Sequence, residues 1–237
     1  MKRILLILML LLAFIALSAS EWEKLLELDT SGVQNADLYY NIGVGYWQDG
    51  QSGMANLYFL RALNLDSNHR AAKENLEYVI ELSPDKSLYP QRQFLVSAFW
   101  QFYDFLTLNR LALISLVLFA LFAAAWVWLL NYPLEKERGL PELVLGIMLF
   151  LFLSSASLLG IKAYRRAYNN KAVMISQQEF LRQNIQSDSE KLMMLHEGVV
   201  LELIRTGKES HLVRTPDGVK GWLPAASIRM VIETHTN

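Results

Sequence analysis

The side chains able to do chemistry in this chain are few and scattered. The four histidines, His69, His196, His211 and His235, lie in unrelated contexts without the paired spacing of a metal or catalytic site. There are no cysteines, which excludes disulfides, thiolate metal sites and cysteine nucleophiles. No G-x-S-x-G, phosphate-binding glycine loop or H-E-x-x-H motif occurs. We therefore predict that the chain is not an enzyme and carries no cofactor or metal, with catalysis as the most distant alternative.

Recognition is the chemistry that the remaining residues favour, because large aromatic and acidic side chains recur at helical spacing between residues 37 and 78. Buried aromatic anchors beside charged groups suit a peptide or a partner helix. The alternative is that Tyr40 and Trp47 pack on residues 21–34 as core. The candidate partner-binding residues are Asp37, Tyr40, Val44, Trp47, Glu74 and Tyr78.

A repeat register positions these residues. When Ala36 is counted as the first position of a 34-residue unit, small and apolar residues occupy seven diagnostic positions. These residues are Tyr39, Ile42, Gly43, Tyr46, Ala55, Phe59 and Ala62. The spacing resembles a tetratricopeptide repeat, which implies two antiparallel helices that touch at Gly43 and Ala55. The first helix of each pair then lines a concave groove. An ordinary helical hairpin with coincidental spacing is the alternative.

The repeat extends beyond one unit. A second unit starts near Arg70 in the same apolar register and is broken by Ser83-Pro84. Residues 21–34 are expected to add a helix in front, because stacked repeats need neighbours to bury their faces. Gly50 lies between the two helices of the first unit, where a positive φ is expected. We assign residues 21–88 to this helical domain.

The N-terminus predicts export. Lys2 and Arg3 precede an apolar run from Ile4 to Leu17, and small residues end the segment at Ser20. This pattern is typical of a secretory signal over residues 1–20, with an uncleaved membrane anchor as the alternative.

Two longer apolar runs predict a membrane hairpin. Residues 111–130 and 143–161 contain no charged side chain and are long enough to cross a bilayer as helices. A short charged loop with prolines and a glycine joins them over residues 131–142. An amphipathic, aromatic-rich segment (89–110) precedes the hairpin and a basic linker (162–170) follows it. A buried pair of helices in a soluble protein is the alternative.

Charge and topology divide the rest of the chain. Residues 21–110 carry 7 Lys and Arg against 12 Asp and Glu, and residues 162–237 carry 11 against 8. The export signal followed by two spans predicts that both parts lie outside the cytoplasmic membrane, although the basic residues after the second span oppose this orientation. The net charge of −1 and the lack of a basic cluster predict no nucleic-acid partner.

Residues 171–235 predict a small antiparallel barrel. Short apolar segments alternate with Thr-Gly and Asp-Gly turn signals. The stretches "LHEGVVLEL" (195–203) and "DGVKGWLP" (217–224) resemble a bacterial SH3-like domain. The resemblance implies that Gly221 allows a tight turn and that Trp222 caps the barrel. We expect the Trp222 side chain to lie in the core, with a role in a ligand site as the alternative. Relatives of this fold bind peptides or cell-wall material.

The combined order of segments resembles the BatE proteins of the bacterial aerotolerance (Bat) operons. It comprises an export signal, the repeat "LYYNIG…YW…G…A…F…RAL", a membrane hairpin and a C-terminal SH3-like domain. The resemblance implies a membrane-anchored scaffold in a Bat envelope complex, with membrane lipids, Bat proteins carrying von Willebrand A domains and a MoxR-type ATPase as partners. The expected fold class is a multi-domain membrane protein with helical, transmembrane and all-β parts. A cell-wall-binding sensor that uses the SH3-like domain on peptidoglycan is the alternative function.

Overall fold

A computed structural model of the chain describes residues 22–90, 103, 105–133, 138–186 and 189–232. The predicted signal segment (1–20), most of the pre-membrane segment and loop residues 134–137 lie outside the described residues. The chain divides into two compact units, one formed by the N-terminal helices with the C-terminal strands and the other by residues from 94 to 168. Residues 21–88 and 171–235, interpreted from sequence as separate domains, are thus combined in one unit.

Four α-helices precede the strands in the first unit. They are α1 (Glu23–Thr30), α2 (Ala36–Gln48), α3 (Ser52–Leu65) and α4 (Arg70–Leu82), followed by a 3₁₀ helix at Lys86–Leu88. The helix expected within residues 21–34 is therefore confirmed as α1. Gly50 adopts a φ of +75° between α2 and α3, where a side chain would be strained. The prediction for this turn is confirmed.

Helices α2 and α3 approach closely at the predicted glycine. A methyl group built on Gly43 would lie 2.7 Å from two ring carbons of Phe59 and 3.2 Å from the carbonyl oxygen of Ala55. Phe59, Ile42 and Ala55 are fully buried there. A second close approach was not predicted: the ring of Trp22, just before α1, occupies the space that a side chain on Gly45 would need. Helix α2 thus has a glycine at each of two close contacts: Gly43 where α3 approaches, and Gly45 where Trp22 approaches.

A polar network ties α1 to α3. The Tyr58 hydroxyl donates to Asp29 Oδ2 at 2.7 Å, and Arg61 lies 3.8 Å from the same carboxylate oxygen. Burial, followed by the hydrogen bond to Asp29, raises the pKa of Tyr58. The phenol therefore stays protonated and keeps donating across the physiological pH range.

The C-terminal region forms one antiparallel sheet of seven strands. They are β1 (Lys171–Met174), β2 (Gln178–Arg182), β3 (Lys191–His196), β4 (Val200–Arg205), β5 (Ser210–Arg214), β6 (Lys220–Pro224) and β7 (Ile228–Met230). Their order is β3-β2-β6-β5-β4-β1-β7. The core on the inner face contains Met174, Leu181, Leu195, Leu201, Val213 and Leu223. Gly218 turns β5 into β6 with a φ of +98°, as the Asp-Gly signal predicted.

The expectations for Gly221 and Trp222 were wrong in detail. Gly221 lies inside β6 rather than in a turn, and a methyl group built on it would lie 2.5 Å from Leu181 and 2.8 Å from the carbonyl oxygen of Arg182. Its role is to let β2 approach. Alternation along β6 buries Gly221 and Leu223 and leaves Trp222 half-buried on the outer face, so Leu223 fills the core instead.

The second unit contains two apolar helices, α5 (Leu108–Leu130) and α6 (Gly139–Ala167), each long enough to cross a membrane. At 1.5 Å per residue they extend about 35 Å and 44 Å. Helix α6 begins before the predicted span, because Pro141 fits the first turn of a helix, and it continues through Arg165 and Arg166, which favour a helix C-terminus. Most of the linker predicted at 162–170 is therefore helical.

The two long helices pack along one seam. The buried positions are Leu111, Ser115 and Ala125 on α5 and Pro141, Ser155 and Lys162 on α6. Buried Lys162 donates to the carbonyl oxygens of Tyr103 and Leu106 at 2.8 Å and 2.6 Å. Other faces of both helices expose large apolar side chains such as Leu116 and Phe150.

Candidate functional site

The candidate groove lies between α2 and α4, and two side-chain caps fix where these helices start. Asn35 Oδ1 accepts from the backbone N–H groups of Asp37 and Leu38 at 2.8 Å and 3.1 Å. His69 Nδ1 accepts from the N–H of Ala72 at 3.1 Å. These are N-cap interactions, which satisfy donors that have no partner within the helix.

His69 also joins the two helices. Because its Nδ1 accepts from a backbone N–H, the neutral ring carries its proton on Nε2. Nε2 lies 3.1 Å from Asp37 Oδ1, so the ring donates to the first turn of α2 while it caps α4. The same ring lies 5.0 Å from that of Tyr40. The N-terminal end of the groove is thereby held by one histidine.

Three aromatic side chains line the groove, namely Tyr40, Trp47 and Tyr78. Tyr40 is half-buried, and its hydroxyl accepts from Asn75 Nδ2 at 3.4 Å. Trp47 meets Tyr78 edge to face at 6.0 Å, and Tyr78 is 57% exposed. Val44, which lies between Tyr40 and Trp47 in the sequence, is half-buried and packs on the cluster of Ala55, Phe59 and Val79.

The predicted groove residues differ in how far they are engaged by the rest of the fold. Tyr40 is engaged by His69 and Asn75, so most of its surface serves the fold. Trp47 and Tyr78 form the accessible aromatic pair. The competing interpretation had Tyr40 and Trp47 packing on residues 21–34. Both are partly buried against the cluster of Ala55, Phe59 and Val79, while Trp22 contacts Gly45 and Tyr46 of α2.

Acidic side chains border the groove. Asp37, Glu74, Glu77 and Glu81 are all exposed on α2 and α4. Glu74 accepts a hydrogen bond from Arg70 at 2.6 Å, an i,i+4 ion pair on the surface. Such exposed pairs contribute little to stability.

The far side of the helical layer is covered by the sheet, through contacts that the sequence did not indicate. Gly53 N donates to Glu197 Oε1 at 2.7 Å, and the buried Asn56 donates to the carbonyl oxygen of Gly198 at 2.8 Å. A methyl group built on Gly53 would lie 2.5 Å from the carbonyl oxygen of Met174. Gly53 and Asn56 are therefore docking residues of α3.

The segment after α4 clamps the sheet as well. Asp85 accepts from the N–H of His196 at 2.6 Å and faces His196 Nδ1 at 3.0 Å. Tyr89 Oη accepts from the N–H of Val200 at 2.9 Å, and burial raises the pKa of this phenol to about 12. These partners lie more than 100 residues apart in sequence, so no local signal could have identified them.

Apolar contacts complete this interface. Leu57 and Leu60 of α3 form one buried cluster with Val173 and Val231 of the strand region. The side of α3 that faces the sheet is thus filled, while the α2–α4 side carries the exposed aromatic pair.

No protein-family model matches the chain, and a search of curated proteins gives no match. Among the described residues, no group of three or more His, Asp or Glu side chains is arranged to hold a metal ion.

Proposed function

We propose that the protein is a membrane-anchored interaction subunit whose α2–α4 groove binds a peptide or helix of a partner protein. The observation that carries this proposal is the Trp47–Tyr78 pair, with Tyr78 57% exposed on a face bordered by Asp37 and Glu74. Binding energy at interfaces concentrates in a few aromatic and arginine side chains. Acidic borders favour a partner segment that carries Lys or Arg.

The repeat register supports a tetratricopeptide fold for the helical layer. Helix α4 begins at Arg70, 34 residues after the start of α2 at Ala36, and Gly43 comes close to the backbone of Ala55, as the repeat spacing predicts. In that fold the first helices of successive units line the concave surface. For the sheet, we propose an SH3-like relationship, supported by the short antiparallel strands and the Gly221-Trp222 pair in β6.

Two membrane-capable helices joined by a short loop support an anchor in the cytoplasmic membrane. The helices before α5 and the strands after α6 pack into one unit, which supports placing both segments on the same side of the membrane. An even number of spans between them satisfies this requirement. We propose the outer side, on the strength of the N-terminal export signal.

The resemblance to BatE proteins gives this proposal its setting. It implies a Bat envelope complex in which the groove engages a membrane protein with a von Willebrand A domain. The half-buried Trp222 on the outer face favours cell-wall binding as a second candidate function. A pull-down of the solubilised full chain on purified sacculi tests that second candidate.

The test of the groove is affinity purification of the full chain from solubilised membranes, with partners identified by mass spectrometry. Trp47→Ala combined with Tyr78→Ala is expected to release the partner, because two anchors of about 2 kcal/mol each amount to roughly a thousandfold in affinity. The matched control is Asn41→Ala with Gln48→Ala, two exposed residues of α2 that are not among the candidate groove residues. Retention of every partner by the folded aromatic variant would refute the proposal.

A further inference from the structure

Two cations are held side by side at the end of the α5–α6 hairpin where the chain enters α5 and leaves α6. Lys162, whose side chain belongs to the buried seam and is only 8% exposed, donates to the carbonyl oxygen of Leu106 at 2.6 Å. Arg110 Nη1 donates to the carbonyl oxygen of the preceding residue, Phe105, at 3.0 Å. These carbonyl groups orient the ammonium and the guanidinium group but contribute no negative charge.

Two further cations lie in the last turn of α6, Arg165 and Arg166. The guanidinium carbon of Arg165 lies 6.0 Å from the ring centre of Tyr103, and Lys162 Nζ lies 4.5 Å from the same centre. Arg166 is exposed and lies one helical turn beyond Lys162, on the same side of α6. We call Arg110, Lys162, Arg165 and Arg166 the cationic end of the hairpin.

The two ends of the hairpin differ in charge. Residues 99–110 and 158–168 contain these four cations and one carboxylate, that of Asp104, which lies outside the described residues. Whichever cation Asp104 pairs with, an excess of three positive charges remains in these two segments. The loop at the opposite end, residues 131–142, contains two cations and three glutamates. Within the hairpin, the positive excess is therefore confined to one end.

The cationic end coincides with the limit of the apolar surface. The uncharged run of α5 begins directly after Arg110, and that of α6 ends directly before Lys162. In helices that cross a bilayer, residues at these positions lie where the hydrocarbon ends and the headgroups begin. Tyr164 and Tyr168 are 64% and 66% exposed, with ring centres 4.6 Å apart, and tyrosine favours that layer.

We propose that the cationic end of the hairpin binds the phosphate group of an anionic phospholipid. Arg110 and Arg166 bind the phosphate oxygens, because a planar guanidinium group can donate two parallel hydrogen bonds to a phosphate. Lys162 holds the backbone before α5 against α6 and adds its own positive charge. The proposal rests on the membrane anchor of the proposed function and is independent of the α2–α4 groove.

The neighbouring side chains favour a lipid over a soluble phosphate. Leu113 lies one turn inside Arg110 on α5, and Leu158 lies one turn inside Lys162 on α6. They are 63% and 39% exposed. A phosphate bound at the cationic end therefore lies next to apolar surface that acyl chains cover and that a soluble phosphate leaves uncovered.

The test uses the full chain in phosphatidylcholine nanodiscs that contain a small, equal fraction of either spin-labelled phosphatidylglycerol or spin-labelled phosphatidylcholine. Because the chain has no cysteine, Asn109→Cys gives a single fluorophore site beside Arg110. Quenching of this fluorophore measures how strongly each lipid associates. Phosphatidylglycerol is expected to associate roughly 25-fold more strongly than phosphatidylcholine, at about fivefold for each of the two arginines. A fluorophore at Leu140→Cys, 64% exposed at the opposite end of α6, should be quenched equally by both lipids.

The variant Arg110→Gln/Arg166→Gln is expected to lose the preference for phosphatidylglycerol. Arg166→Gln alone should lower it about fivefold, and this arginine makes no hydrogen bond or ion pair with the described residues, so the fold does not depend on it. The matched control is Lys24→Gln/Lys86→Gln, which removes two exposed cations outside the hairpin for the same change in net charge. It is expected to keep the full preference.

The outcomes separate the anchor from the lipid site. Absence of quenching by either lipid at both positions 109 and 140 would refute the membrane anchor itself. Equal quenching by both lipids at position 109 would leave the anchor intact and overturn the lipid site. An unchanged preference in Arg166→Gln, or an equal loss in the Lys24→Gln/Lys86→Gln control, would also overturn it. Displacement of spin-labelled phosphatidylglycerol by inorganic phosphate would assign the cationic end to a soluble anion instead.

Discussion

Replacing Asp85 with alanine should loosen the sheet from the helices, because this carboxylate serves two donors of His196. Its side chain is only 10% exposed, and its oxygens lie 2.6 Å from the His196 backbone nitrogen and 3.0 Å from Nδ1. Alanine leaves a backbone N–H of β3 without a partner, which costs about 1 to 3 kcal/mol. Loss of the charge-assisted bond to the partly exposed imidazole adds about 1 kcal/mol, so the expected total is about 2 to 4 kcal/mol.

Hydrogen exchange on the full chain in detergent measures this effect where it occurs. Local opening of β3 that becomes easier by 2 to 4 kcal/mol makes its amides exchange roughly 30 to 1,000 times faster, at about 1.4 kcal/mol per tenfold. Asp85→Asn should cost much less, because asparagine can accept from the amide and donate to Nδ1 once His196 changes tautomer. Ser87→Ala, exposed in the 3₁₀ helix that follows Asp85, is the control and should change nothing. Exchange of β3 in Asp85→Ala within threefold of wild type would refute this account of the clamp.

Three further outcomes are expected. Gly43→Leu should unfold α2 and α3, because the new side chain would clash with the ring of Phe59, and overpacking costs about 1 to 3 kcal/mol or more. Unchanged thermal stability of this variant would contradict the packing described. Burial lowers the pKa of His211, so the unfolded chain binds a proton at this residue before the folded chain does as pH falls, and thermal stability should decrease below about pH 6.5. His211→Gln should make thermal stability less dependent on pH in this range. A wild-type chain whose stability does not change with pH would contradict this prediction. Single cysteines at Ser87 and Ser210 should both react with an impermeant thiol reagent in intact cells with a permeabilised outer layer, and labelling of only one would exclude a shared compartment.

The parts of the fold that follow local rules could be predicted from the sequence. Helices α2 to α4 follow from the 34-residue spacing around Gly43, and α5 and α6 follow from uncharged runs of membrane length. The turn at Gly50 follows from the conformational freedom of glycine. In each case the determining residues lie within one continuous helix or one hairpin.

Features set by distant pairing could not be predicted. Gly53 and Asn56 looked like ordinary positions of α3, although both contact residues 197–198 about 140 positions later. Trp222 was expected in the core because tryptophan usually packs there, but its strand parity turns it outward. The register shifts that set Lys191 opposite Arg182 and Arg205 opposite Leu212 depend on neighbouring strands and leave no pattern in either segment alone.

The measurement that tests the central claim most directly is photo-crosslinking from the groove in living cells. A photoreactive amino acid at Tyr78, whose side chain is 57% exposed beside Trp47, should give a discrete adduct with a partner protein. The same amino acid at exposed Lys86, outside the groove, should not give that adduct. The adduct from position 78 should disappear when Trp47 is replaced by alanine. Absence of any adduct from position 78, or an identical adduct from position 86, would contradict a partner-binding groove between α2 and α4.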